Sequence, residues 1–169
     1  MAPRSAEQAE GAPPGRQTLF SNRRHRPDAR GNRERLPRLT FVDSNIPMYL
    51  VGSPHPRKTD AQILLERLIA SGERLLTDAE VLQEIVHRYA AIGRRAAIGA
   101  ALKLTLDLVD NVLPIHRDDV LRAAEIAESR DWISSRDALH VAVMERYKIE
   151  SIFTFDADFD RWPGIRRVL

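Results

Sequence analysis

Four short β-prone runs, Leu39–Val42, Arg74–Leu76, Val112–Ile115 and Ser151–Phe155, are separated from one another by stretches of helical periodicity. That alternation constrains the fold more than any other feature of the chain. It predicts a parallel sheet with helices packed on both faces. Arg167-Val168-Leu169 is a candidate for a final short strand, and no internal repeat interrupts the pattern.

The helical stretches carry their own boundaries. Ser44-Asn45 is placed to cap a helix whose first turn takes Pro47. Thr59-Asp60-Ala61-Gln62 reads as a capping box before Ile63, Leu64, Leu65, Leu68 and Ile69, and Ser71-Gly72 ends that helix. Thr77-Asp78-Ala79-Glu80 reads as a second box, opening a helix with Val81, Leu82, Ile85, Val86 and Tyr89 inward. An Ala- and Leu-rich helix is expected from about Arg94 to Leu108. Asp118 is expected to cap a helix over 119–129 with Val120, Leu121, Ala124 and Ile126 as its apolar face. Ser134 or Ser135 caps the last helix, which runs to about Tyr147.

Residues 1–38 have a different texture. They hold nine arginines against Glu7, Glu10, Asp28 and Glu34, a balance of +5, so with +2 overall the rest of the chain carries −3. Bulky apolar residues are few, and Gly and Pro are frequent. Such a segment buries too little surface to offset its ordering entropy, so a disordered basic extension is expected, with the folded domain over 39–169. The extension is either an arm that attracts RNA or dispensable. No cysteine is present, so any metal is held by Asp, Glu, His or backbone oxygen. No apolar run approaches the ~18 residues of a membrane span, and the N-terminus has no apolar core of the secretory kind. A cytoplasmic location without membrane contact is expected.

In an open α/β sheet the chemistry lies beyond the carboxyl ends of the strands. Asp43 ends the first strand and Asp156 closely follows a late one. Asp137 falls in the first turn of a helix, and Glu84 lies within the helix after the second strand. A parallel sheet can bring all four to one edge. Carboxylates gathered there repel unless a cation stands among them, and an oxygen-rich site without Cys favours Mg2+ or Mn2+. Each acid also has an ordinary use: a cap or turn for the two after strands, the helix dipole for Asp137, a solvated face for Glu84. His140, three residues after Asp137, is either a general base or a structural helical histidine. Ser44 either caps its helix or positions a water or phosphate. Arg136 pairs with an acid or a phosphate, and Trp132 and Trp162 read as packing residues.

Phe41-Val42-Asp43-Ser44-Asn45 resembles the opening motif of PIN-domain proteins, especially toxins of the VapC type. Ser134-Ser135-Arg136-Asp137-Ala138-Leu139-His140 is similar to that family's third-acid motif, and Thr154-Phe155-Asp156-Ala157-Asp158-Phe159 to its fourth. Glu84 stands where the second acid belongs. The resemblance covers residues 39–169 and implies a three-layer α/β/α sandwich with a parallel sheet of four or five strands. It implies a Mg2+- or Mn2+-dependent endoribonuclease, the toxin of a toxin–antitoxin pair that blocks translation. Asp43 and Asp137 would be direct metal ligands, Glu84 and Asp156 would complete the set, and Ser44, Asp158 and Arg136 would support it. The long N-terminal extension departs from the usual toxin. The crowding of Asp156, Asp158 and Asp160 leaves open which of them meets the metal. The alternative is a non-catalytic PIN-like module that binds RNA or protein. A receiver domain would require paired acids after the first strand, and a haloacid-dehalogenase-like phosphatase would require Asp where Asn45 stands.

The helices carry more apolar positions than a small sheet can cover. Leu102, Leu104, Leu106, Leu108 and Val109 spread around their helix instead of forming one stripe. A homodimer is therefore expected, with a groove for an amphipathic segment of a cognate antitoxin. An antitoxin arginine near Asp43 and Asp137 would compete with metal there. Deleting residues 1–38 is expected to change stability by no more than about 1 kcal/mol, since an unpacked segment contributes little. Thermal unfolding of the full and shortened chains checks this, and a large drop in Tm would contradict the disorder assignment.

Overall fold

The computed structural model describes residues 38–52 and 54–169. The basic extension assigned to residues 1–38 lies outside the described residues, except for Arg38. The chain divides into two units between Glu34 and Arg35, and the second unit is the one described below.

Five strands form one all-parallel sheet: β1 (Leu39–Val42), β2 (Arg74–Asp78), β3 (Asn111–Leu113), β4 (Ser151–Phe153) and β5 (Arg166–Val168). Their order is β3-β2-β1-β4-β5. Helices α1 (Asn45–Val51) and α2 (Pro56–Ala70) join β1 to β2, while α3 (Ala79–Ala91) and α4 (Ile98–Leu108) join β2 to β3. Helices α5 (Arg117–Ser129) and α6 (Ser135–Tyr147) join β3 to β4. β1 is central, and the chain order reverses across it between β2 and β4. A crevice beyond the carboxyl ends of β1 and β4 follows from that reversal.

The period-2 pleat of the strands builds two cores. Phe41, Leu76 and Ile152 face one side, against Val81 and Ile85 of α3, Ile126 of α5 and Val141 and Met144 of α6. Val42, Leu75 and Phe153 face the other, against Ile46 of α1 and Ala61, Leu64 and Leu68 of α2. Strands buried on both faces read as unbroken apolar runs. The result is the three-layer α/β/α sandwich expected.

Several local boundaries differ from the sequence pattern. α2 begins at Pro56, not at the Thr59 box, because His55 Nδ1 accepts from Arg57 N (3.1 Å) and Pro56 suits the first helical position. α3 is capped by Asp78, not Thr77. The Asp78 side chain accepts from Val81 N (2.9 Å), while the Thr77 hydroxyl donates to Val42 O (2.8 Å) and ties β2 to β1. Ser44 stands at the start of α1 but makes no side-chain cap bond. The helix expected from Arg94 starts at Ile98, after a 3-10 turn over Arg95–Ala97. Pro114 follows β3, which ends a residue earlier at Leu113, because proline has no N–H for a ladder.

α5 departs furthest. Its cap is His116, not Asp118, with Asp119 Oδ2 accepting from His116 N (2.7 Å). Asp119 also takes two hydrogen bonds from Arg146 of α6, at 2.7 and 2.8 Å, and Arg146 Nη2 donates to Pro114 O. This pairing turns Asp119, Ala123 and Ile126 inward. Val120 and Leu121, expected inside, are 51% and 50% exposed. Removing one partner strands the other where water is scarce. Asp119→Ala is expected to cost about 3 kcal/mol and Val120→Ala less than about 0.5 kcal/mol. Urea unfolding of both variants checks the order, and equal costs would contradict the assigned face.

Candidate active site

Asp43 leaves the end of β1 at the crevice, and its backbone N–H bonds Phe153 O of β4 (3.2 Å). Its side chain is 6% exposed. The Thr154 hydroxyl and the Asn45 amide both donate to Asp43 Oδ2. Asn45 also donates to Thr154 Oγ1 (2.8 Å), and Phe155 N donates to Asn45 Oδ1. These bonds hold one Asp43 oxygen against the protein. Burial pushes the Asp43 carboxyl up to about 6; His140 and Thr154 pull it down, while Glu84 and Asp137 add to the rise.

Glu84 projects from α3 and is partly buried, not set on a solvated face. Arg136 Nη1 lies 3.3 Å from its Oε1. Of the two uses open to Arg136, the structure holds the pairing with an acid. The neighbouring His140 ring, the Ser44 hydroxyl and Arg136 hold the Glu84 carboxyl below its usual range, against the opposing effect of burial.

His140, on α6, is fully buried. Its Nδ1 lies 2.8 Å from Asp78 Oδ2, and its Nε2 lies 3.9 Å from Glu84 Oε2, beyond hydrogen-bond reach. Burial pulls the imidazole pKa down, but Asp78, Glu84 and Asp43 together outweigh it and raise it well above the ordinary value. Asp78 is itself completely buried. It therefore serves two purposes, capping the helix that carries Glu84 and orienting the histidine beside Glu84. Sequence reasoning gave the cap to Thr77 and saw neither role of Asp78.

Asp137 is positioned by Ser134, whose hydroxyl accepts from Asp137 N (3.1 Å) and donates to Asp137 Oδ2 (2.6 Å). Burial raises its carboxyl, and the charges of Asp156 and Glu84 add to that, against Ser134 and His140. Asp156 follows β4, and its backbone N–H donates to Thr154 Oγ1 (3.0 Å). One threonine hydroxyl thus links Asp43 to Asp156. Asp158 is exposed, with Arg161 4.0 Å away, and Asp160 is paired with Arg167. Of the three crowded acids, Asp156 alone lines the cleft that Asp43 lines.

That cleft is open, about 550 Å³ in volume. Asp43, Ser44, Asn45, Glu84, Asp137 and Asp156 form its acidic floor. Arg88 and Arg94 of the α3 side and Tyr49 and His55 of the α1 side line its walls. Asn45 and Thr154 were not singled out as site residues by the sequence, although both lie inside the two motifs that frame the acids. The donor set fits a hard divalent cation. Ligand atoms of Asp43, Glu84 and His140 lie within 4.8 Å of one another, and the buried His140 Nε2 has no hydrogen-bond partner. Trp132 and Trp162 pack against each other and under Arg161 and Arg130, as packing residues.

The family model of the PIN domain matches residues 40–165. The chain belongs to the PIN-domain family, and its relatives place it with the VapC ribonucleases. It is 55% identical over 130 residues to Ribonuclease VapC13 of Mycobacterium tuberculosis, covering 77% of this chain and 99% of that protein. A VapC ribonuclease of Mycobacterium bovis matches over the same spans at the same identity. Among solved structures, Mycobacterium tuberculosis VapC20, described as a sarcin–ricin loop cleaving toxin, superposes with a TM-score of 0.61 at 27% identity. That match covers 73% of this chain and 93% of the other. VapBC2 of Rickettsia felis, at 14% identity and a TM-score of 0.56, shares the fold, with 76% and 96% of the two chains covered.

The raised Asp43 carboxyl has a consequence for stability. Between about pH 4 and 6 the folded state keeps a proton that the unfolded chain releases. This group's contribution is therefore fully present at low pH and is lost as pH rises through about 6. In EDTA at pH 7.5, Asp43→Asn is expected to be more stable than the parent by up to about 3 kcal/mol, and at pH 4 to show no such gain. Thermal melts at the two pH values check this. A variant less stable than the parent at pH 7.5 would contradict the electrostatic account.

Proposed function

We propose that this chain is a divalent-metal-dependent endoribonuclease, the toxin of a toxin–antitoxin pair, acting in the cytoplasm to block translation. The observation that carries this reading is the convergence of Asp43, Glu84, Asp137 and Asp156 on one cleft at the carboxyl edge of the sheet. Four acids in a place where burial and mutual repulsion raise two of them make sense as a cation site.

Asp43 and Asp137 are the direct ligands in this reading, with Glu84 and Asp156 completing the shell directly or through water. Bound there, Mg2+ or Mn2+ supplies a more acidic water and neutralises charge on the leaving oxygen. The chain's own residues do the positioning. Thr154 and Asn45 hold one Asp43 oxygen, leaving the other for the ion. Ser134 fixes the Asp137 carboxylate, and Arg136 steadies Glu84. Asp158, exposed beside Arg161, is a peripheral support at most. The phosphate backbone of an RNA would meet arginines on the cleft wall, Arg88 and Arg94, beside the acids.

The partners follow from the surface. Among the described residues no helix is long and apolar enough to cross a membrane. Ile92 after α3 and Leu106 on α4 are each 51% exposed, and Val86 on α3 is exposed too. Exposed apolar residues of that kind fit a homodimer, and the exposed Ile63 and Ile69 of α2 fit an antitoxin helix. Residues 39–169 form the nuclease domain and residues 1–38 an extension to it.

Asp137→Asn keeps side-chain size and removes charge. It is expected to lower Mg2+- or Mn2+-dependent cleavage of RNA at least 10²-fold, on the order expected for a lost ligand, with the fold intact. A fluorescence assay on a quenched RNA oligonucleotide checks this, with circular dichroism as the folding control. Cleavage at the parental rate would overturn the assignment. The alternative, a binding module without catalysis, predicts that Mn2+ leaves the melting temperature of the parent unchanged.

A further inference from the structure

His140 Nε2 is the one buried side-chain polar atom among the described residues that has no hydrogen-bond partner. An unmet polar atom of this kind costs about 1–3 kcal/mol, so its retention calls for an explanation. The other ring nitrogen is fully committed. Nδ1 sits 2.8 Å from Asp78 Oδ2, and a carboxylate only accepts, so Nδ1 carries a proton and donates it. Asp78 is in turn locked, because its other oxygen accepts from Val81 N at the head of α3. Phe41 packs against the ring at a centroid distance of 5.4 Å. The imidazole therefore has one orientation, with Nε2 aimed at the acids.

What Nε2 faces is the Asp43–Glu84 pair. Glu84 Oε2 is 3.9 Å away, and one ligand atom from each of Asp43, Glu84 and His140 falls within a mutual 4.8 Å. Ligands bonded at about 2.1 Å to one ion lie about 3 Å apart when adjacent and about 4.2 Å apart when opposite. A small inward shift closes the three atoms around a single cation. The geometry points to His140 Nε2 as a direct nitrogen ligand of the active-site metal, with Asp78 as the positioning residue that aims it. This inference rests on the metal-dependent reading above. A carboxylate that orients a histidine whose far nitrogen binds metal is a recurring arrangement, and the carboxylate also makes the nitrogen a better donor.

A nitrogen ligand has a chemical consequence. Mg2+ prefers oxygen donors and near-ideal octahedral geometry, whereas Mn2+ accepts imidazole more readily. The site is thus tuned toward Mn2+ over Mg2+.

Pulsed electron paramagnetic resonance of Mn2+ bound to the full chain tests this directly, because a bonded imidazole nitrogen modulates the manganese echo. The expected result is a 14N modulation that changes to the 15N pattern when the protein is grown with 15N-histidine. In His140→Gln the modulation is expected to vanish, with Mn2+ affinity at least about tenfold weaker and Mg2+ affinity less affected. The labelled wild-type arm needs no substitution, so it stands even where the variant does not fold. Bound Mn2+ without nitrogen modulation would overturn this inference alone. Modulation that survives in His140→Gln would overturn it too, assigning the nitrogen elsewhere, such as to His55 at the cleft wall. No Mn2+ binding to folded protein would overturn both the inference and the metal-dependent reading.

Discussion

Asp43 is buried at the end of the central strand, and a buried carboxylate is costly unless donors or a cation stand beside it. Much of the architecture around the cleft answers that cost. Thr154 and Asn45 supply donors from the neighbouring strand end and the following helix. Opposite, the fully buried Asp78–His140 pair places an imidazole near both Asp43 and Glu84. Without metal a protonated ring would place positive charge there, and a cation bound by Nε2 would displace that proton and take over the charge. The side chains of the site are held in place by the protein's own hydrogen bonds.

The sheet topology makes this possible. Because β1 lies between β2 and β4, the acids can come from three separate crossovers and still meet. Asp43 comes from the strand end itself, Glu84 from α3 after β2, Asp137 from α6 before β4, and Asp156 from the turn after β4. α6 is the most deeply buried helix, with Ala138, Val141, Val143 and Met144 packed inward. It therefore gives Asp137 and His140 a rigid support. The ion pair between Asp119 and Arg146 joins α5 to the back of that same helix.

The sequence was informative where one local rule acts alone. The strands themselves were legible because β1, β2 and β4 are rich in apolar residues on both faces. β2 nevertheless runs two residues past Leu76 to Asp78, and β4 stops at Phe153, two short of Phe155. The four acids were read from their places near those strands. Helix starts were less legible, because Ser, Thr, Asp and His compete for the cap and the winner is set by tertiary demands. Thr77 was drawn away from the α3 cap by its bond to Val42 O, which leaves Asp78 in place. The apolar face of α5 was misread because a charged residue, Asp119, occupies the inward position. Periodicity assigns apolar side chains to the core and has no means of seeing a buried ion pair. The Asp78–His140 contact spans 62 positions in sequence, so nothing local announces it. Asp156 was favoured over Asp158 and Asp160 in the sequence because it follows the strand most closely, and of the three it alone lines the cleft.

The central claim is that one divalent cation sits among Asp43, Glu84, Asp137 and Asp156. Anomalous diffraction from crystals soaked in Mn2+ measures this most directly. The account predicts a strong manganese peak in the cleft, about 2.1–2.3 Å from an Asp43 carboxylate oxygen and within the reach of Asp137, directly or through one water. A cleft without a peak at millimolar Mn2+, or a peak bound only to exposed acids such as Asp158 and Asp160, would contradict it.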